Sequence, residues 1–304
     1  MSLNLDSERT KIARNFERLL DDPVGREIVG KRLGLQLNSH EELKDQAIVG
    51  VLVPSYKSLH PNMLDARTRM LMYSKQFCTV FSEPIRGSSI VHWVRNDMLA
   101  PLYKEKRKFT HVLWIDDDMV FDKDVLVTML RADKDVLGVN YVTRSDPPRP
   151  NIHIVNLDTS AAARIVNWHN DELEHEGSLI CAKSERATLT AGTGLMLIKK
   201  EVLDRVGQMH VNAEYEQLLY NLTDEQLSGI RKMRKEGCDE TGNYWWFDFL
   251  TRLGGWAQLG EDTSFCVKAA MCGFKVWVDT AIQPGHIGEY AYSYGDFNPQ
   301  QAGE

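Results

Sequence analysis

Between residues 47 and 141, four short apolar runs alternate with three helical patterns, and this alternation leaves the chain few ways to fold. The runs are Ala47 to Pro54, Phe77 to Phe81, His111 to Ile115 and Asp135 to Tyr141. Between them, Leu64 to Tyr73, Ser89 to Tyr103 and Lys123 to Ala132 repeat apolar residues at helical spacing. Short continuous apolar runs are strands covered on both faces. Their regular succession with helices predicts an α/β fold with a mostly parallel sheet flanked by helices. In open α/β sheets ligands bind beyond the C-terminal ends of the strands. Pro54-Ser55-Tyr56 and Asp116-Asp117-Asp118 stand at two such ends.

The acidic triplet carries the first chemical signal. Adjoining carboxylates at the end of a buried strand repel one another and lose hydration unless a cation lies among them. Mg²⁺ and Mn²⁺ take oxygen ligands and leave coordination positions that a diphosphate can fill. The triplet therefore predicts a metal site holding a phosphorylated substrate. The other reading is an acidic turn that caps the next helix, since Asp122 and Asp124 follow closely.

Beyond Tyr141 the pattern is less regular. Residues 151 to 185 predict a β-meander with a loose loop near Asp171 to Ser178. Leu189 to Ile198 reads as strand although it contains Ala191-Gly192-Thr193-Gly194, and Lys199 to Val206 reads as a short helix. Residues 213 to 240 are polar and helical. The aromatic stretch Asn243 to Phe249 follows, where Trp245 and Trp246, with Trp256 beyond it, serve either as core or as stacking surfaces for a sugar or base. Glu261 and Asp262 open a helix whose Phe265, Ala269 and Cys272 share a face and whose end is marked by Gly273. Carboxylates there either complement the helix dipole or take a proton from a hydroxyl in a pocket. A strand, Phe274 to Asp279, leads to His286, which has glycines close on both sides.

At the front, residues 6 to 35 have helical spacing (Ile12, Phe16, Leu19, Leu20) with Asp6 or Ser7 as cap, and a polar link follows from Asn38 to Asp45. We divide the chain into a helical extension (1–45), a main domain (46–290, with halves 46–145 and 146–290) and a tail (291–304). The net charge of −7 argues against a broad phosphate-binding surface, and the basic cluster Lys104 to Lys108 reads as a solvated helix end. No window approaches the about 20 apolar residues of a membrane span, and the charged first residues do not form a signal peptide. The five cysteines are scattered without metal or disulfide spacing, which points to a reducing, cytoplasmic setting.

Taken in order, the strand-borne Asp116-Asp117-Asp118 with its Asp-x-Asp signature, the block Ala191 to Ile198, Gly260-Glu261-Asp262 opening a helix, and the late His286 resemble GT-A-fold glycosyltransferases of the family-two-like kind. The resemblance spans about residues 47 to 290. It implies a Rossmann-like nucleotide-binding half and a mixed acceptor half. The implied activity is metal-dependent transfer of a sugar from a UDP- or GDP-sugar to a hydroxyl acceptor (a glycan, protein, small molecule or modified nucleic-acid base). Asp118, with Asp116 directly or through water or the donor ribose, and His286 would hold Mn²⁺ or Mg²⁺. Pro54, Ser55 and Tyr56 would take the nucleobase and ribose, Arg95 and Asp117 would contact the donor, and Gly192, Thr193 and Gly194 would let backbone approach the sugar. Asp262 is the preferred general base of an inverting reaction, with Glu261 as its alternative; in a retaining reaction the pair would orient the acceptor. Residues 1–40 have no counterpart in these motifs and are candidates for oligomerisation, or for a helix packed across the sheet. A nucleotidyltransferase would carry glycine in the loop after its first strand, which Val53-Pro54-Ser55-Tyr56-Lys57 lacks. A non-catalytic nucleotide-sugar-binding module is the third reading, against which the intact acidic groups and His286 count.

Overall fold

The computed structural model describes residues 47–55, 59–83, 86–87, 90–145, 147–159, 162–165, 170–209, 223–225, 228, 246–247, 249–250, 259–288 and 291–292. The expected helix at 6–35, nearly all of the 213–240 segment, Tyr56, Trp245 and Trp256 lie outside these residues. The first half forms β1 (Ile48–Leu52), β2 (Pro54–Ser55), α1 (Pro61–Ser74), β3 (Thr79–Ser82), β4 (Arg86–Gly87), α2 (Val91–Lys104), β5 (His111–Ile115), β6 (Met119–Val120), α3 (Val125–Arg131) and β7 (Val136–Val139). The second forms β8 (Ile152–Asn156), β9 (Ala162–Arg164), β10 (Leu173–Glu176), β11 (Leu179–Ala182), β12 (Ala187–Ala191), β13 (Leu195–Lys199), α4 (Lys200–Met209), α5 (Glu261–Met271), β14 (Val276–Asp279), β15 (Gly285–Ile287) and β16 (Ala291–Tyr292).

Eight strands make one sheet in the order β10-β11-β14-β7-β13-β5-β1-β3. Alternate residues of its central strands feed two cores. On one face Val112, Trp114, Met196 and Ile198 pack with Met98 and Leu102 of α2, Val202 of α4 and Phe265 of α5. On the other, Leu113, Ile115, Leu195 and Leu197 pack with Met63 and Met70 of α1 and Leu126 and Met129 of α3. This two-sided burial explains why the strands read as continuous apolar runs.

The sheet is mixed, which corrects the mostly parallel arrangement expected from the sequence. The pairs β1–β3, β1–β5 and β7–β14 are parallel, but β13 runs antiparallel to both β5 and β7. The chain returns from β12, in the separate three-stranded sheet β12-β8-β9, to the edge where β5 ends. A strand entering there must run against its neighbours. The apolar stretch Leu189 to Ile198 is accordingly two strands in two sheets, broken at Gly192-Thr193-Gly194. The loose loop expected near Asp171 to Ser178 is a hairpin instead, β10 pairing antiparallel with β11 around Gly177 at φ 64°. Leu173 is buried there, and the exposed Glu174, His175 and Glu176 hid the strand from a hydrophobic reading.

Candidate active site

Because β1, β5, β7 and β14 point the same way, their C-terminal ends line one edge of the sheet. A cavity of about 420 Å³ opens there, walled by Pro54 and Ser55, Val91 and Arg95, Asp116 to Asp118, Tyr141, Thr143, Arg144, Asn151, Glu261 and His286. Residues distant in sequence thus converge where an α/β sheet ordinarily binds its ligand.

Each acidic residue of the triplet has a different partner. Asp116 accepts a 2.8 Å hydrogen bond from Arg95 Nη2, and its own N–H reaches Gly194 O at 3.0 Å. Asp117 accepts a 2.6 Å bond from Ser55 Oγ, which ties β2 to the turn after β5. Asp118 Oδ2 lies 2.9 Å from Arg144 Nη1 and 3.4 Å from His286 Nε2, while Asp118 Oδ1 is buried with no hydrogen-bond partner among the described residues. His286 comes from the far end of the chain because β15 pairs antiparallel with β6, setting His286 opposite Met119. Ile287 N–H donating to Asp118 O at 2.7 Å fixes that register, and a 2.9 Å bond between His286 Nδ1 and Val142 O turns Nε2 toward Asp118.

Arg95 is 2% exposed, its guanidinium centre 5.4 Å from the Trp114 ring and 5.8 Å from the Phe247 ring. Its Nε also lies 3.9 Å from Glu261 Oε1. Burial opposes the charge, and Asp116 and Glu261 more than offset this, so its pKa is raised. The residue therefore serves two carboxylates from beneath the cavity floor. Glu261 stands on the wall at the start of α5, and half-buried Asp262 follows it, accepting from Thr263 N–H at 2.7 Å. Burial and the charge of Glu261 push the Asp262 carboxyl up to about 6, toward the range of a working general base.

The two glycines of Gly192-Thr193-Gly194 make room for a side chain. A Cβ on Gly192 would fall 1.8 Å from Tyr141 Oη and 2.4 Å from Asn151 Nδ2, and one on Gly194 would fall 2.9 Å from Tyr141 Cζ. Gly192→Ala is therefore expected to lose about 1–3 kcal/mol, as overpacked cores do. Chemical denaturation measures this, and an unchanged midpoint would mean that Tyr141 leaves its seat at no cost.

Among the described residues the structure brings together Ser55, Arg95, all three aspartates, Glu261 and His286, with Asp262 and the glycine turn directly behind them. No three His, Cys, Asp or Glu side chains of the described residues form a ready metal cage, since Asp116 is turned to Arg95. Asp118 and His286 nevertheless suit a divalent cation: Asp118 Oδ1 has no hydrogen-bond partner among the described residues, and Mg²⁺-type sites use one or two protein ligands beside substrate phosphates. Trp246 is core rather than a stacking surface, fully buried with its indole N–H donating to Leu203 O at 2.9 Å. Tyr141, Thr143, Arg144 and Asn151 were not singled out by sequence. The strand-end rule that marked the aspartates extends to Tyr141 and Arg144 after β7, but Asn151 carries no signal; its N–H is held by Tyr141 O at 2.9 Å.

No protein-family model matches the sequence, and no curated protein matches it either. Among solved structures the chain is similar to A197 from STIV, at 13% identity and a TM-score of 0.40, over 82% of this chain and 92% of that one. It is also similar to a glycosyltransferase involved in the glycosylation of the major capsid of PBCV-1, at 9% identity and a TM-score of 0.29, over 76% of this chain and 93% of that one. At such distances the functional reading has to rest on the site's own residues. No helix among the described residues is long and apolar enough to cross a membrane.

Proposed function

We propose that this chain is a metal-dependent glycosyltransferase that moves a sugar from a UDP- or GDP-sugar to a hydroxyl acceptor with inversion. One observation carries the reading: Asp118, with a buried oxygen that has no partner among the described residues, meets His286 in a cavity that Glu261 also lines, with Asp262 next to it in the chain. Asp118 and His286 would hold Mn²⁺ or Mg²⁺ against the donor diphosphate. The cation, when bound, would neutralise charge on the departing nucleoside diphosphate.

The remaining roles belong to the chain's own side chains. Ser55, fixed to Asp117, lines the cavity and would face the nucleoside. Arg144, half exposed on the wall, supplies a cation for phosphate oxygens. Asp262 takes the proton of the acceptor hydroxyl as its oxygen bonds to the anomeric carbon. The bond from that carbon to the phosphate oxygen breaks, and its electron pair leaves with the diphosphate. Arg95 holds Asp116 by a hydrogen bond and stands beside Glu261, which fixes the start of the helix that carries Asp262.

The test is release of UDP or GDP from the corresponding sugars in Mn²⁺, by slow hydrolysis or by transfer. EDTA should abolish turnover and added Mn²⁺ or Mg²⁺ restore it. Full activity in chelator removes the metal from the mechanism. Pyrophosphate release from nucleoside triphosphates would instead mark a nucleotidyltransferase, and tight binding without any release a binding module.

A further inference from the structure

Tyr141 has no role in the mechanism above, yet its ring is built into the cavity wall with unusual care. It is 5% exposed, sits edge-on to His286 with ring centroids 5.3 Å apart, and occupies the space that Gly192 and Gly194 leave open. Its hydroxyl oxygen accepts from Asn151 Nδ2 at 3.0 Å and, at a long 3.4 Å, from Gly194 N–H. A phenol has two acceptor positions and one proton to give. Both acceptor positions are filled, and no described residue accepts the proton. An ordinary phenol keeps its proton across the neutral range, so that proton is there to be donated.

We infer that the Tyr141 hydroxyl donates its hydrogen bond to an oxygen of the donor's sugar ring, and that the glycine turn exists to seat it there. This rests on the glycosyltransferase reading and adds a sugar-recognition residue to it. The chemistry selects the sugar over the diphosphate. The phenol is uncharged and has a single proton to give, which suits a neutral sugar oxygen rather than a charged phosphate. A sugar hydroxyl or ring oxygen offers the acceptor that the phenol's proton lacks among the described residues. The cationic Arg144, which would draw phosphate, stands instead at Asp118.

Tyr141→Phe tests this, because the ring and its packing stay while the donor is lost. Isothermal titration in Mn²⁺ should show affinity for the nucleotide sugar reduced about 3- to 10-fold, the worth of one neutral hydrogen bond. Affinity for plain UDP or GDP should be unchanged. A purely structural role would weaken both ligands alike, and that result, or no loss for either, overturns the inference while leaving the glycosyltransferase reading intact. If the parent protein binds neither class of ligand, the reading itself fails and takes the inference with it. Asn151→Leu is the second variant should Tyr141→Phe not fold: it frees the hydroxyl to turn, so the nucleotide sugar should again weaken selectively, by a smaller factor. Equal affinities of that variant for both ligands relative to the parent would count against Tyr141.

Discussion

Asp118→Asn is expected to abolish binding of Mn²⁺ together with UDP or GDP while leaving the protein folded. The substitution keeps volume and shape and removes one negative charge. In the parent, Asp118 faces Arg144 and His286 through Oδ2, and its Oδ1 has no hydrogen-bond partner among the described residues, so the substitution breaks no hydrogen bond to Oδ1. The ion pair with Arg144 is partly exposed and worth up to about 1 kcal/mol, a shift of only a few degrees in Tm for a chain this long. The metal side is far larger. Altering residues that merely support a metal ligand weakens binding by about 10- to 100-fold, and loss of a ligand itself should exceed that. Calorimetric titration beside a thermal melt checks both halves. Parent-like binding of Mn²⁺ and nucleotide by a folded variant would place the metal elsewhere.

How much of this was legible in the residues depends on what kind of signal each feature leaves. Continuous apolar runs announced β1, β5 and β7, and the helix ended by Gly273 was readable because that residue has φ 89°, a conformation glycine favours. The direction of β13 was not readable. Burial on both faces gives the same apolar run whichever way a strand points, and direction depends on where the chain re-enters the sheet. The site divides in the same way. The aspartates and His286 stood out because such residues are rare beside buried strands, whereas Tyr141 after β7 looks like any strand end. Arg95 shows the limit most clearly. Sequence set it toward the donor, but its burial depends on Asp116 from β5 and Glu261 from α5, whose meeting only the folded chain reveals.

Asp262→Asn should behave differently in kind, with Mn²⁺ and nucleotide bound as in the parent and transfer reduced by about 10²- to 10⁴-fold, the usual worth of a general base. The pH dependence gives an independent check. With its carboxyl pushed up to about 6, the parent's rate at saturating donor should rise as pH climbs through that value, because only the ionised form accepts the acceptor's proton. The variant's residual rate should lack that limb. Stability runs the opposite way. A folded pKa above the ordinary 3.8 means the folded protein holds this proton more tightly than the unfolded chain. The group's favourable contribution is therefore complete below about 4 and lost as pH rises through about 6. At pH 7 the ionised Asp262 is a burden on the fold, so Asp262→Asn should match or exceed the parent in Tm while being nearly inactive. Glu261→Gln is the necessary companion, since Glu261 is the one on the cavity wall and stands beside Arg95. A collapse of rate in Glu261→Gln alone would move the base by one residue. Near-parental rates in both would mean a retaining course or a base supplied by the acceptor.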